Sequence, residues 1–180
     1  FDDTTIGGMT PVNLFHYDAA TGTSEELATD LTLGIQRALW ADPHRRGVLY
    51  TIKNGLLYRS IGGRSWQIEA SLNDGTKWMA VASIAFDWMQ PGVIYAATDS
   101  GLFRTLDDGV TWTVLDATDT GSIEVAPSRS ATLYRATLHG LSRSDDAGAT
   151  WTQLPSSSAA LLAIDPLNGR GRDSAKESAN

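Results

Sequence analysis

A carboxylate close to a tryptophan is the pairing from which a carbohydrate site can be built. The acid hydrogen-bonds hydroxyls or moves a proton, and the indole stacks on a sugar ring. The chain writes that pairing twice at one spacing, as "TLDDGVTWTVL" at 105–115 and "SDDAGATWTQL" at 144–154. The repetition argues for architecture over chemistry, because a catalytic group is needed once and a device of the fold is needed in every repeated unit. An Asp in a turn accepts backbone N–H groups. A glycine admits a positive φ that a side chain would resist. A tryptophan entering the following strand buries roughly 150–250 Å². Thr105, Asp107, Gly109, Thr111 and Trp112, and likewise Ser144, Asp146, Gly148, Thr150 and Trp151, are therefore expected to build hairpin turns. A calcium loop is the rival for "DDG", but the further oxygen ligands and the distal Glu are missing.

Other chemistry has little support. The chain has no cysteine, which removes disulfides, thiolate metal sites and a Cys nucleophile. His16, His44 and His139 are scattered without metal-ligand spacing. No Ser-His-Asp elbow, phosphate loop or dinucleotide fingerprint is present, and no metal or cofactor is implied. A net charge of −7 disfavours nucleic-acid binding and docking on anionic membrane surfaces. No apolar run approaches the length of a membrane span. The 180 residues, 42% of them hydrophobic, suffice for one domain with a sizeable core.

The elements that position these residues form a repeat. "GVLYTIKNGLLYRSIGGRSW", "GVIYAATDSGLFRTLDDGVTW" and "ATLYRATLHGLSRSDDAGATW" align, with Tyr50, Tyr95 and Tyr134 in register. Arg59, Arg104 and Arg143 each follow nine residues later, and the Trp66, Trp112 and Trp151 steps are 46 and 39 residues. Short branched and aromatic runs, punctuated by Gly, Asp, Asn and Ser, make each unit four strands. In one unit strand A lies near 80–87, B near 92–98, C near 101–106 and D near 111–115. Four strands per forty-odd residues is the period of a β-propeller blade. "NLFHYDAATGTSEEL" reads as a weaker C–D hairpin, although "SEELATDL" at 24–31 within it has a helix-like pattern. The expected organisation is an all-β propeller over 1–168, with blades of roughly 1–31, 32–70, 78–116 and 121–155. A further strand is expected at 159–166, and a disordered polar tail at 169–180. The terminal strand "ALLAIDP" either closes a small ring, which removes exposed sheet edges, or begins another blade of a larger propeller. The second arrangement is preferred, with the remaining blades supplied by a longer chain.

The motif S/T-x-D-x-G-x-T-W, matched at every position from Thr105 to Trp112 and from Ser144 to Trp151, resembles the Asp-box or bacterial neuraminidase repeat. That repeat occurs in sialidases, sortilin-type receptors, xyloglucanases and photosystem II assembly factors. A shortened copy, "SIGGRSW", keeps Ser60, Gly63, Ser65 and Trp66 but has lost the Asp. The resemblance covers residues 40–155. It implies a propeller, an extracellular or periplasmic location, and a ligand face made by the D–A and B–C loops, opposite the motif turns. It does not fix an activity, because enzymes and plain binders share the motif. A sialidase would need an arginine cluster, and Arg37 alone does not provide one.

Function is expected where the blades differ. The D–A and B–C loops supply Asp74, Lys77, Trp78, Lys53, Asp99, Asp116, Asp119 and His139 as candidate ligand-facing residues. Trp78 has no counterpart in the other units. Trp40 is expected in the core, and Trp88 in packing or a contact between blades. The reading that follows is a non-catalytic scaffold presenting loops to a protein or glycan, with no nucleic acid and no membrane insertion. Its alternative is part of a secreted glycoside hydrolase using loop acids. Trp78→Ala is expected to weaken ligand binding while leaving the melting temperature nearly unchanged; unaltered affinity in that variant would remove Trp78 from the ligand face.

Overall fold

The computed structural model describes residues 14–18, 20–27, 36–69, 72, 79–118 and 120–155. Every regular element among them is a β-strand, and the chain divides into two compact units, Phe1–Ala70 and Ser71–Asn180. The first unit holds a two-stranded hairpin, β1 (Leu14–Asp18) with β2 (Thr23–Leu27). It also holds a four-stranded antiparallel sheet of β3 (Gln36–Ala41), β4 (Val48–Lys53), β5 (Leu56–Ile61) and β6 (Trp66–Ile68), in that spatial order. The second unit holds two further sheets of the same design. One runs β7 (Val81–Phe86), β8 (Ile94–Thr98), β9 (Gly101–Thr105), β10 (Thr113–Asp116); the other runs β11 (Ser122–Val125), β12 (Leu133–Thr137), β13 (Gly140–Ser144), β14 (Thr152–Gln153).

The hairpin settles the ambiguity over residues 24–31 as far as they are described. Ser24 pairs with Tyr17 and Leu27 with Leu14, so the helix-like reading fails over Ser24–Leu27. An eight-residue pattern cannot nucleate a helix against an available strand partner. The expected strand at 159–166 and the expected tail at 169–180 lie outside the described residues.

Each sheet is a meander whose register explains the spacing in the sequence. Tyr50 lies opposite Arg59, Tyr95 opposite Arg104 and Tyr134 opposite Arg143. The nine-residue interval is therefore a cross-strand pair on the two middle strands. Burial pushes the Tyr50 and Tyr95 phenols above their ordinary range, partly offset by neighbouring arginines. In the first sheet the middle strands turn at Asn54-Gly55, both at positive φ (52° and 79°), as a two-residue hairpin of that twist requires. The same backbone bond ties the A–B and C–D turns in all three sheets: Gly62 N to Gly47 O at 2.7 Å, Asp108 N to Gly92 O at 3.0 Å and Ala147 N to Ala131 O at 2.8 Å. One end of each sheet is thus defined by these two turns.

In the second unit the two sheets close on a common apolar layer. Ala85, Val93, Tyr95, Ala97 and Leu102 meet Ile123, Val125 and Leu133, with Leu115 and Trp151 packed against them. Alternation along each strand sends these residues to one face. Ile123 N donates to Ser83 Oγ at 3.0 Å, which pins the first strands of the two sheets together. In the first unit, Val48, Tyr50, Ile52, Leu57 and Trp66 are buried.

The motif turns connect the third and fourth strands. Thr105 Oγ1 donates to Asp107 Oδ1 at 2.7 Å and accepts from Gly109 N at 2.9 Å. Asp107 then accepts from Thr111 N at 2.8 Å and from Thr111 Oγ1 at 2.7 Å. Ser144, Asp146, Gly148 and Thr150 repeat every one of these bonds, at 2.8, 2.9, 2.8 and 2.6 Å. Gly148 has φ +93°, which disfavours a side chain, and an added Cβ would stand 2.9 Å from the Cδ1 end of Leu115 of the facing sheet. The shortened copy solves the turn differently. Gly63 N donates to Ser60 Oγ at 3.1 Å, and the Trp66 indole donates to Gly63 O at 3.0 Å; the Trp112 and Trp151 indole nitrogens are buried without a partner.

These bonds hold the Asp146 carboxyl down to about 2, chiefly through the Thr150 hydroxyl and amide and the Ser144 hydroxyl. A lowered folded-state value stabilises the fold above the unfolded value, near 3.9, and that stability is lost as pH falls toward 2. Asp146→Asn is expected to flatten the acid limb of the melting-temperature profile between those limits. Ser144→Ala leaves the buried Gly148 N–H without its acceptor and is expected to cost about 1–3 kcal/mol by denaturant unfolding at neutral pH. An unchanged midpoint in Ser144→Ala would refute the role of the hydroxyl.

Candidate functional site

The described candidates, Lys53, Asp99, Asp116 and His139, lie at the end of their sheets away from the motif turns. In the second unit the loops there are built on the same local device. Thr98 Oγ1 donates to Gly101 O at 2.8 Å and accepts from Ser100 N at 3.1 Å. Thr137 does the same with Gly140 O at 3.3 Å and His139 N at 3.1 Å. The threonine hydroxyl closes each turn and leaves Asp99 exposed in one and Leu138–His139 in the other. Gly101 has φ +130°, and a Cβ there would meet the Asp116 carbonyl and stand 2.9 Å from Ala117 Cα. The last strand of the sheet therefore crosses directly over this turn.

Asp99 and Asp116 take separate partners. Asp99 Oδ1 accepts from Ala80 N at 3.1 Å and from Ser100 Oγ at 3.0 Å, clamping the turn to the start of β7. Asp116 bridges the two sheets: its Oδ2 accepts from Arg135 Nη1 at 2.6 Å, and its Oδ1 from Thr118 N at 2.7 Å. Burial would raise the Asp116 carboxyl, but the Thr118 and Arg135 bonds outweigh it and hold it below the usual range. Arg135 is 8% exposed, and its guanidinium carbon lies 4.2 Å from the centre of the Trp151 ring. An ionised, arginine-bound carboxylate cannot serve as a proton donor, so Asp116 acts as a tie between sheets and does not project freely toward a ligand.

The remaining candidates divide by position. Asp74, Lys77, Trp78 and Asp119 lie outside the described residues. In the first unit, Lys53 holds its ammonium 5.8 Å from the Tyr58 ring centre. Trp40 is half-buried in β3, and Arg37 belongs to the same strand. Trp88, expected in packing or a contact between blades, is 59% exposed beside the exposed Met89. Its loop is pinned beneath it by Asp87, whose Oδ1 accepts from Met89 N at 2.8 Å, Gln90 N at 3.2 Å and Ser130 Oγ of the adjoining sheet at 2.9 Å. Asp42 caps the matching turn of the first unit through His44 N at 2.8 Å and Arg45 N at 3.1 Å. Aligning the prolines alone conceals this second Asp device; the signal was the Asp of "ADP" and "FDW".

Two charged groups that the loops do not contain also emerge. Glu124, in the middle of β11 opposite Tyr134, is half-buried, and desolvation lifts its carboxyl to about 7. Glu69, just past β6, is likewise half-buried and raised by desolvation, against the lowering charges of Arg59 and Arg45. Among the described residues, no three metal-ligating side chains converge, and no helix is long and apolar enough to cross a membrane.

A repeat of four-stranded antiparallel meanders, joined by hydroxyl-and-carboxylate turns, defines a β-propeller-like chain. No family model and no curated protein matches it, but solved structures do. A GH74 enzyme from Niastella koreensis aligns at TM-score 0.56 and 18% identity, over 83% of this chain and 28% of that one. The GH74 xyloglucanase from Xanthomonas campestris aligns at 0.53 and 21% identity, over 64% and 20%. The extracellular domain of a putative hybrid two-component system from B. thetaiotaomicron aligns at 0.52 and 19%, over 67% and 19%. The chain therefore spans less than a third of the length of each of these structures, and the likeness is one of fold.

The raised Glu124 carboxyl has a pH signature of its own. Below the unfolded value, near 4.3, both states are neutral and burial costs nothing. As pH rises toward 7 the unfolded carboxyl ionises while the folded one resists, so stability falls, and the loss is complete above about 7. Glu124→Gln is expected to raise the melting temperature at pH 8 and leave it unchanged at pH 4. Equal shifts at both values would show that the side chain acts through packing instead of charge.

Proposed function

We propose that this chain is a stretch of an Asp-box propeller, extracellular or periplasmic, that presents loops to a protein or glycan ligand without catalysing a reaction. The observation that carries this reading is the engagement of the acids. Asp107 and Asp146 are held inside their turns, and Asp116 is held on Arg135. Asp99, exposed at a turn, is bonded to Ala80 and Ser100. A hydrolase needs one carboxyl free to give a proton and another free to attack or to activate water. Support for the module's place in a larger ring comes from the short share of each similar structure that the chain spans.

A second reading, part of a glycoside hydrolase, is favoured by the GH74 enzymes among the similar structures and by Glu124. A carboxyl that burial keeps protonated near neutral pH has the property that a general acid requires. The two readings separate on xyloglucan oligosaccharides, followed by calorimetry for binding and by reducing-end release for turnover. The scaffold reading expects binding without release, with Glu124→Gln leaving the affinity within about twofold. Release of reducing ends that Glu124→Gln abolishes would replace the scaffold reading with the hydrolase one.

A further inference from the structure

The motif end of the second sheet differs from that of its neighbours. Its A–B turn, between β7 and β8, carries Trp88 and Met89, and its C–D turn, between β9 and β10, carries Leu106 and Val110. These four side chains are 59%, 60%, 63% and 72% exposed. The repeat shows that the fold does not require them. Asp42 N, Asp87 N and Ala126 N close the three A–B turns on Val48 O, Val93 O and Thr132 O, at 2.9, 3.0 and 2.9 Å. Those cognate bonds make Pro43 and Pro127 the counterparts of Trp88, and His44 and Ser128 the counterparts of Met89. In the C–D turn of the third sheet, Asp145 and Ala149 stand where Leu106 and Val110 stand. The first sheet keeps an exposed apolar residue only at the place of Leu106, as Ile61. The same backbone is thus built elsewhere with small or polar groups, and an apolar group of this size left in water marks a contact surface.

The two turns are held as one platform. Asp108 N donates to Gly92 O at 3.0 Å, and a Cβ on Gly92 would stand 3.2 Å from Leu106 O. Asp87 fixes the Trp88 loop through Met89 N and Gln90 N, and Asp107 fixes the other turn through Thr111. A surface ordered in advance loses little conformational entropy when a partner arrives. Its charge has one sign. The turns contain Asp87, Asp107 and Asp108, and no Lys, Arg or His lies within 87–92 or 106–111. Asp107 is exposed, and its partners are hydroxyls and amides with no cation among them. Those bonds hold its carboxyl below the usual range, so the charge persists at neutral pH.

We propose that this end of the second sheet docks a basic amphipathic segment of a partner protein, its apolar side chains on Trp88, Met89, Leu106 and Val110 and its Lys or Arg residues beside Asp107 and Asp108. Trp and Met are residue types concentrated in interface centres, and a ring of charge around such a centre selects the sign of the partner. That sign decides against a second copy: a two-fold pair would set the same acids against each other, and the whole chain carries −7. Further sheets of a larger ring would stack on sheet faces, as the two sheets of this unit do through Ile123, Val125 and Leu133, and would leave the turns uncovered. The surface lies at the opposite end from Asp99 and His139, so the inference stands apart from the scaffold reading.

The test is fluorescence anisotropy of a labelled amphipathic peptide of leucine and lysine, titrated with the full chain. A leucine–glutamate peptide of the same pattern and a serine–lysine peptide of the same charge serve as comparisons. The leucine–lysine peptide is expected to bind, and each of the others to bind at least about tenfold more weakly. Trp88→Ser and Met89→Ser are each expected to weaken its binding by about fivefold or more. Both side chains are exposed, so the melting temperature is expected to stay nearly unchanged in these variants. Leu138→Ser removes an 84% exposed leucine from the other end of the third sheet and is expected to keep the affinity within about twofold. No binding of the leucine–lysine peptide up to about 100 µM overturns the proposal. So do equal affinities for the leucine–lysine and serine–lysine peptides, undiminished binding in both Trp88→Ser and Met89→Ser, or a loss in Leu138→Ser as large as theirs. A dimer in sedimentation that Trp88→Ser dissolves would make a second copy the occupant and overturns it as well.

Discussion

One buried hydroxyl organises each complete motif turn. A threonine or serine oxygen has one proton to give and two lone pairs, and Thr105 and Ser144 use all of this capacity. Each donates to the motif Asp and accepts the amides of that Asp and of the motif Gly. The Asp is thereby oriented to take the amide and hydroxyl of the next threonine, which closes the turn one residue before the tryptophan. Because the hydroxyl is buried, these bonds set the conformation of the turn. In the second copy that conformation brings Gly148 against Leu115 of the facing sheet and leaves Trp151 on the apolar layer. Packing between the sheets thus depends on a turn of polar atoms.

Where the repeat lapses, the structure has to supply a substitute. The residue after the aligned tyrosine is Thr51 in the first sheet, Ala96 in the second and Arg135 in the third. An arginine in this layer cannot remain unpaired, since an unanswered buried charge is strongly destabilising. It is answered on two sides, by Asp116 of the neighbouring sheet and by the face of Trp151. The pair does more than fill space. It joins two sheets through a bond with direction, which an apolar contact lacks. The same division of labour appears at the other end of these sheets, where Asp87 caps its own loop and accepts the Ser130 hydroxyl from the neighbour.

The four-strand repeat was legible because it is written in local chemistry. Tyr to Arg at nine residues is a hairpin register, and the hydroxyl, Asp, Gly and Trp of the motif are a turn whose bonds span five residues. What could not be read is long-range. Asp116 and Arg135 are nineteen residues apart and meet only because two sheets face each other. Trp88 was expected in packing or a contact between blades, and it stands exposed on a loop whose backbone Asp87 holds. The helix-like pattern at 24–31 was too short to compete with the strand offered by Leu14–Asp18. Glu69 is the instructive omission. The alignment sets it beside leucines, but the register sets it beside an acid: Glu69 lies across from Leu57 and Asp116 across from Leu102, because the strand is irregular at Leu115.

The contrast between Arg135 and Arg59 turns on one register position. Both are arginines on middle strands with an Nε that lacks a partner. Around Arg135 the protein closes the remaining valences with a carboxylate at 2.6 Å and an indole, and the result is a joint between sheets. Around Arg59 the nearby carboxyl of Glu69 is raised by desolvation and forms no such bond, and space remains between the groups. Glu69 lies across from Leu57 as Asp116 lies across from Leu102, so the same register position is a joint where an arginine bonds the carboxylate and stays without an ion pair, among the described residues, in the first sheet.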